Sequence, residues 1–154
     1  MYRAFFDRKK GLFTLQDSNG PIFKQLRARS GQRGFDSTNW VRGKSPIPWS
    51  SVAGTYYLWI DAPVSKDAAL PTGRGIGQFF QISNQPENRN LIQNPLGKET
   101  REAIGLHPEN GIPGSVGCIV LLHETPDEAT KVKKLFDFLE GLGKRQQTIP
   151  LIVL

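Results

Sequence analysis

Cys118 is the only cysteine in the chain and His107 is one of two histidines. They stand 118 − 107 = 11 residues apart, within the glycine- and proline-rich stretch Ile104 to Leu121, IGLHPENGIPGSVGCIVL. A cysteine attacks a carbonyl as its thiolate. It needs a base within hydrogen-bond reach, and backbone N–H groups aimed at the oxyanion that forms. Gly114, Ser115 and Gly117 give the backbone before Cys118 freedom to bend and turn its amides inward. Ile119 to Leu122 read as a buried strand that would fix the nucleophile, and the turn PENGIPG would bring His107 back to face it. The expected arrangement is a Cys–His pair on one hairpin. The same residues admit a plainer reading, since a lone cysteine ahead of an apolar strand is usually a core thiol and a histidine beside a Gly/Pro turn usually a surface residue.

The elements that would position this pair are mostly strands. Tyr2 to Phe6 is β-prone, and Asp7 to Gly11 supplies a turn. Leu12 to Gln16 alternates, with Phe13 and Leu15 on one face. Asp17-Ser18-Asn19-Gly20 is a turn signal, and Ile22 to Arg29 continues a β-meander. Residues 30 to 50 read as a long irregular loop with few buried side chains. Thr55 to Asp61 and Gln78 to Ser83 are strands, and residues 84 to 100 a loop with no element of its own. Thr125, Pro126, Asp127 and Glu128 open the one convincing helix, with an N-cap, a proline at the first position and acids in the first turn. Ala129, Val132, Leu135, Phe136, Leu139 and Leu142 follow at helical spacing, and Gly141 and Gly143 end it at about residue 141. Ile149 to Leu154 closes the chain as a strand. With no repeat or linker, residues 1–154 form a single domain, mainly β (sandwich- or barrel-like) with one C-terminal helix at about 126–141.

The chain is 154 residues long, enough to bury a core without a disulfide or metal staple, and the lone cysteine excludes an internal disulfide. Its 16 glycines and 11 prolines argue against a helical bundle. Lys and Arg number 20 against 14 Asp and Glu, so the net charge of +6 favours anionic partners without choosing among nucleic acid, membrane surface and acidic wall polymer. No apolar run reaches membrane-span length, and MYRAFFDRKK lacks the apolar core of a signal peptide. The expectation is synthesis in the cytoplasm and export, if any, by another route. No metal or other cofactor is expected. Gly73-Arg74-Gly75-Ile76-Gly77 lacks the Lys-Ser/Thr of a phosphate loop and reads as a turn. Lys24, Arg27, Arg29 and Arg33, near Phe35 and Trp40, could form a nucleic-acid footprint, but a solvated strand face is favoured and nucleic acid is not the expected partner. His123 reads as a surface residue before the helix.

The stretch around Cys118 resembles the catalytic segment of the L,D-transpeptidases, the YkuD-type cysteine enzymes of peptidoglycan. Their histidine, spacer and Ser/Thr-x-Gly-Cys pattern is matched by His107 and Ser115-Val116-Gly117-Cys118-Ile119. Arg101 to His107 (REAIGLH) is similar to the R-x-x-I-G-I-H lead-in, and Gly43 to Tyr57 to the G-x-x-P-I-P-x-G-x-Y stretch, of compact relatives among type VI secretion effectors and phage proteins. The family's usual His at position 116 and Asn or Arg at 120 are both Val here, and the spacer is short. The resemblance implies an L,D-transpeptidase or carboxypeptidase acting on peptidoglycan stem peptides through a thioester. Cys118 would be the nucleophile, His107 its base, Ser115 a polar support of the turn, and the amides of Gly117 and Cys118 the oxyanion donors. Arg101 would bind a substrate carboxylate or be a plain surface charge. A phage product or delivered effector is the implied setting, with other virion or secretion-system proteins as partners. The alternative is a non-catalytic structural or wall-binding virion component on the same fold. A basic nucleic-acid-binding module is a third reading.

Overall fold

The computed structural model describes residues 1–31, 45–50, 54–63, 78–95, 97–109 and 117–154. Ser115, Arg33, Phe35, Trp40 and the Gly73 to Gly77 turn lie outside them.

Among the described residues, ten strands and one helix follow in order. The strands are β1 (Arg3–Asp7), β2 (Leu12–Asp17), β3 (Gly20–Ser30), β4 (Tyr56–Trp59), β5 (Phe80–Ser83), β6 (Leu91–Gln93), β7 (Thr100–Glu102), β8 (Gly105–Pro108), β9 (Ile119–Leu121) and β10 (Thr148–Val153). The helix α1 (Pro126–Leu142) lies between β9 and β10. Eight strands close a barrel in the order β1-β10-β4-β5-β8-β9-β3-β2, and β6 pairs with β7 in a separate two-stranded sheet. Closure leaves no barrel edge exposed to pair with another chain.

The N-terminal meander forms as its alternation predicts. Phe13 and Leu15 are fully buried, while Leu12, Thr14 and Gln16 face the other way and are half-buried. The Asp17 side chain accepts the Asn19 N–H at 2.8 Å, the local bond that makes such turns favourable. Two pairings depend on the tertiary fold: β1 runs parallel to β10, and β8 parallel to β9. Parallel neighbours cannot be joined by a tight hairpin turn: β1 and β10 come from the two ends of the chain, and β8 and β9 are separated by residues 109–118.

The helix is capped as its sequence dictates, the Thr125 hydroxyl accepting the Glu128 N–H at 3.1 Å. Val132, Leu135, Phe136, Leu139 and Leu142 join the barrel strands in one apolar core, with Phe136 stacked on Phe80 at 5.5 Å between ring centres. Arg27 on β3 donates Nε and Nη2 to Glu128 at 2.6 and 2.7 Å and Nη2 to Glu124 at 2.9 Å, tying the strand to the helix start. That guanidinium holds the Glu128 carboxyl below the usual range. Arg27 thus belongs to an ion cluster rather than to an open basic face.

The C-terminus of α1 corrects one expectation. Gly141 lies inside the helix with open space around its Cα, and Gly143 is the C-cap in ordinary right-handed conformation at φ −62°. Gly143 is required by proximity, because a Cβ there would overlap the Ile60 carbonyl. Gly143→Ala should therefore cost about 1–3 kcal/mol, while Gly141→Ala should be neutral or stabilise by up to about 1 kcal/mol. Urea midpoints of the two variants check both signs.

Two loop assignments are also revised. Residues 84 to 100 contain β6 and the first residue of β7. Only Ile92 in β6 is buried, so the strand exists through its pairing and leaves no periodic signal. In the 30–50 segment, Ser45, Pro46, Ile47 and Pro48 are buried.

Candidate active site

Residues Gly105, Leu106, His107 and Pro108 alternate across β8, and Ile119 to Leu121 across β9. The parallel register sets Leu106 beside Ile119 and His107 beside Val120. Leu106, Ile119 and Leu121 enter the main core, whereas Cys118 and Val120 turn to the opposite face and pack with Phe79 in a second small cluster. By the same register Cys118 lies beside Gly105. His107 and Cys118 are therefore diagonal neighbours on one face of adjacent strands. The hairpin expected from the sequence is replaced by this parallel pair, which stands between β5 and β3 in the barrel.

His107 is fixed in plane and in tautomer. Its ring stacks on Phe79 at 5.7 Å between centres. Its Nδ1 lies 2.8 Å from the Pro108 carbonyl oxygen, which can only accept, so the proton sits on Nδ1. Nε2 is then the nitrogen able to take a proton. Gly105 makes the stacking possible, since a Cβ there would overlap the Phe79 ring and the Phe80 carbonyl. The glycine of the lead-in segment is thus explained by the aromatic ring beside the histidine.

Cys118 is 3% exposed, and its Sγ donates to the Ala103 carbonyl at 3.7 Å. Ala103 has φ +57°, a left-handed conformation that costs a non-glycine residue about 1–2 kcal/mol. The Asn90 side chain accepts the Ala103 N–H at 3.1 Å and so holds this strained residue in place. Strain of this kind gathers where the surrounding structure must aim a group at a site.

The turn before Cys118 is equally constrained. Gly117 has φ +113°, and a Cβ there would stand 3.0 Å from Ile104 Cδ1, 3.3 Å from Arg101 Nη1 and 3.4 Å from the Ser45 carbonyl oxygen. Its own carbonyl accepts the Ser30 hydroxyl at 2.9 Å, and Ser30 Oγ accepts the Ile47 N–H at 2.8 Å. Ser30, at the end of β3, therefore joins the buried 45–48 segment to the cysteine turn. Nothing in the local sequence around Ser30 marks this role. The Pro46-Ile47-Pro48 triplet was its visible counterpart.

Arg101 is not the plain surface charge that was one expectation for it. It is 5% exposed, and its Nη1 donates to the Ser45 carbonyl at 3.2 Å and the Pro46 carbonyl at 2.7 Å. A surface charge is thereby corrected: the guanidinium is buried beside the Gly117 turn. Burial pulls its pKa down from the usual arginine value. Tyr56, fully buried beside it, donates its hydroxyl to the Pro48 carbonyl at 3.0 Å, and burial pushes that phenol up.

On the same face, Arg29 of β3 is set beside Val120 and forms a 2.5 Å ion pair with Glu109. His123, half-buried rather than exposed, has Nε2 2.8 Å from the Glu109 carbonyl oxygen. Among the described residues no group of three or more His, Cys, Asp or Glu side chains is arranged to hold a metal ion. No described helix is long and apolar enough to cross a membrane.

No family model matches this sequence, and no curated protein matches it. Solved structures do. An L,D-transpeptidase from Xylanimonas cellulosilytica DSM 15894 superposes with a TM-score of 0.50 at 12% identity, covering 99% of this chain and 60% of that one. An L,D-transpeptidase from Mycobacterium tuberculosis H37Rv gives 0.49 at 13% identity, over 99% and 57%. One from Mycobacterium smegmatis gives 0.42 at 17% identity, over 99% and 58%. The barrel is of the L,D-transpeptidase type of fold. This chain spans 57–60% of the length of these three proteins.

Proposed function

We propose that this protein is a cysteine acyltransferase of the L,D-transpeptidase type acting on peptidoglycan stem peptides. The observation that carries this reading is the placement of His107 and Cys118 on one face of β8 and β9, turned away from the main core, on the fold that those enzymes share. Nε2 of His107 takes the proton of Cys118, and the thiolate attacks the carbonyl carbon between the third stem residue and the terminal D-alanine. The amides of Gly117 and Cys118 hold the oxyanion, with Ser115 supporting their turn. The C–N bond breaks, the D-alanine amine leaves with the proton from His107, and a Cys118 thioester remains. An acceptor amine or water then gives its proton to His107, attacks the thioester, and frees the thiolate. A phage product or delivered effector, working beside other virion or secretion-system proteins, is the setting that accords with the sequence.

The test is mass spectrometry of tetrapeptide muropeptides incubated with protein shown to be folded by circular dichroism. Loss of the terminal D-alanine or formation of cross-linked dimers is the expected result, and the product identifies the acceptor. Unchanged muropeptides would overturn the proposal. They would favour a structural or wall-binding protein, a reading that draws on the 3% exposure of Cys118, which is also what a core thiol shows.

A further inference from the structure

Among the described residues, Arg101 is the only charged side chain that is buried. Removing a guanidinium from water costs several kcal/mol, and folds retain one where its geometry has a use. The use here is local. Nη1 donates to the Ser45 and Pro46 carbonyls and lies 3.3 Å from the point where a Gly117 Cβ would stand. The positive charge is therefore packed against the residue that precedes Cys118. It also lies two residues before Ala103, whose carbonyl accepts the thiol. Arginine stays protonated at neutral pH even when burial lowers its pKa. A cation in a poorly solvated site stabilises a neighbouring anion far more than it would in water.

We propose that Arg101 is a positioning residue that holds the Cys118 turn in its oxyanion-binding shape and, through its buried charge, favours the Cys118 thiolate. The inference rests on the reading of Cys118 as nucleophile. The other charged or titratable described groups around it are His107 on β8, Glu109 just beyond β8 with its partner Arg29 on β3, and Tyr56 on β4 and Arg8 after β1, both acting on Arg101. Glu109 and Arg29 are paired with each other, and the proposed setting of the thiol falls to His107 and Arg101. Arg101 acts from beside the turn, where its 5% exposure limits screening by solvent.

The test follows the rate of Cys118 alkylation by iodoacetamide against pH, read by intact mass, in the wild type, Arg101→Gln, Arg101→Lys and His107→Gln. The wild-type thiol should titrate below the ordinary value of about 8.5. Arg101→Gln should raise it by about one unit, giving roughly tenfold less thiolate and tenfold slower alkylation near neutral pH. Arg101→Lys keeps the charge and should hold the titration, yet slow muropeptide turnover, because an ammonium cannot reproduce the planar fork. His107→Gln leaves Arg101 untouched, so its thiol should still titrate below about 8.5. Equal titrations in the wild type and folded Arg101→Gln would overturn the proposal. If Arg101→Gln does not fold, an ordinary thiol in His107→Gln would overturn it instead. An Arg101-dependent thiol that leaves muropeptides untouched would sink the enzymatic reading and spare this one. Turnover with a thiol indifferent to Arg101 would do the reverse.

Discussion

Cys118→Ala should abolish turnover of tetrapeptide muropeptides, by at least about 10³-fold, because no other group can carry the acyl chain as a thioester. His107→Gln should lower the rate by about 10²–10⁴-fold near neutral pH, the usual contribution of a positioned base. The two losses differ in their pH dependence. Without the imidazole, thiolate still forms as pH rises through the thiol's own titration, so the His107→Gln rate should climb with pH where the wild type has levelled off. Cys118→Ala should stay inactive throughout. Both variants should keep cooperative melting, since Cys118 lies in the small Phe79–Val120 cluster and His107 is half-buried. A Cys118→Ala protein that processed muropeptides at the wild-type rate would remove the nucleophile from this account. A His107→Gln profile parallel to the wild type would remove the base.

Gly117→Ala should damage stability and activity together. A φ of +113° is strained for any side chain, at about 1–3 kcal/mol, and the new Cβ would press on Ile104 at 3.0 Å and on Arg101 at 3.3 Å. Relief requires the turn to move, carrying with it the amides proposed to hold the oxyanion. A displacement of about 1 Å at reacting groups can cost about 10²-fold in rate. The expected phenotype is a destabilised protein with kcat lowered about 10²-fold even under conditions where it is fully folded. Denaturant titration and turnover at low temperature separate the two effects. Unaltered kcat in a folded Gly117→Ala protein would show that this turn does not bind the oxyanion.

Much of the fold was legible in the chain because it rests on local physics. The alternation of Phe13 and Leu15 with polar neighbours set the inner face of β2. The Thr125 cap and the apolar positions of α1 placed the helix to within a residue of its observed end. Short pairings were not legible. β6 has one buried residue, and the partners of β1 and β9 lie far along the chain or across a closed barrel.

For the candidate site, the sequence was sufficient to single out Cys118, His107, Gly117 and Arg101, since a thiol, an imidazole and a flexible backbone are properties of residue types. It did not determine how they are held. Ser30, the 45–48 segment, Phe79, Asn90 and Ala103 reach the cysteine turn from five separate parts of the chain. Arg101 shows the division most clearly. Its charge is written in its residue type, but whether a charge meets a ligand, the solvent or a neighbouring backbone depends on what surrounds it. Only the packing of β7 against the 45–48 segment and Gly117 buried it, because burial is a relation among distant residues and no single residue carries it.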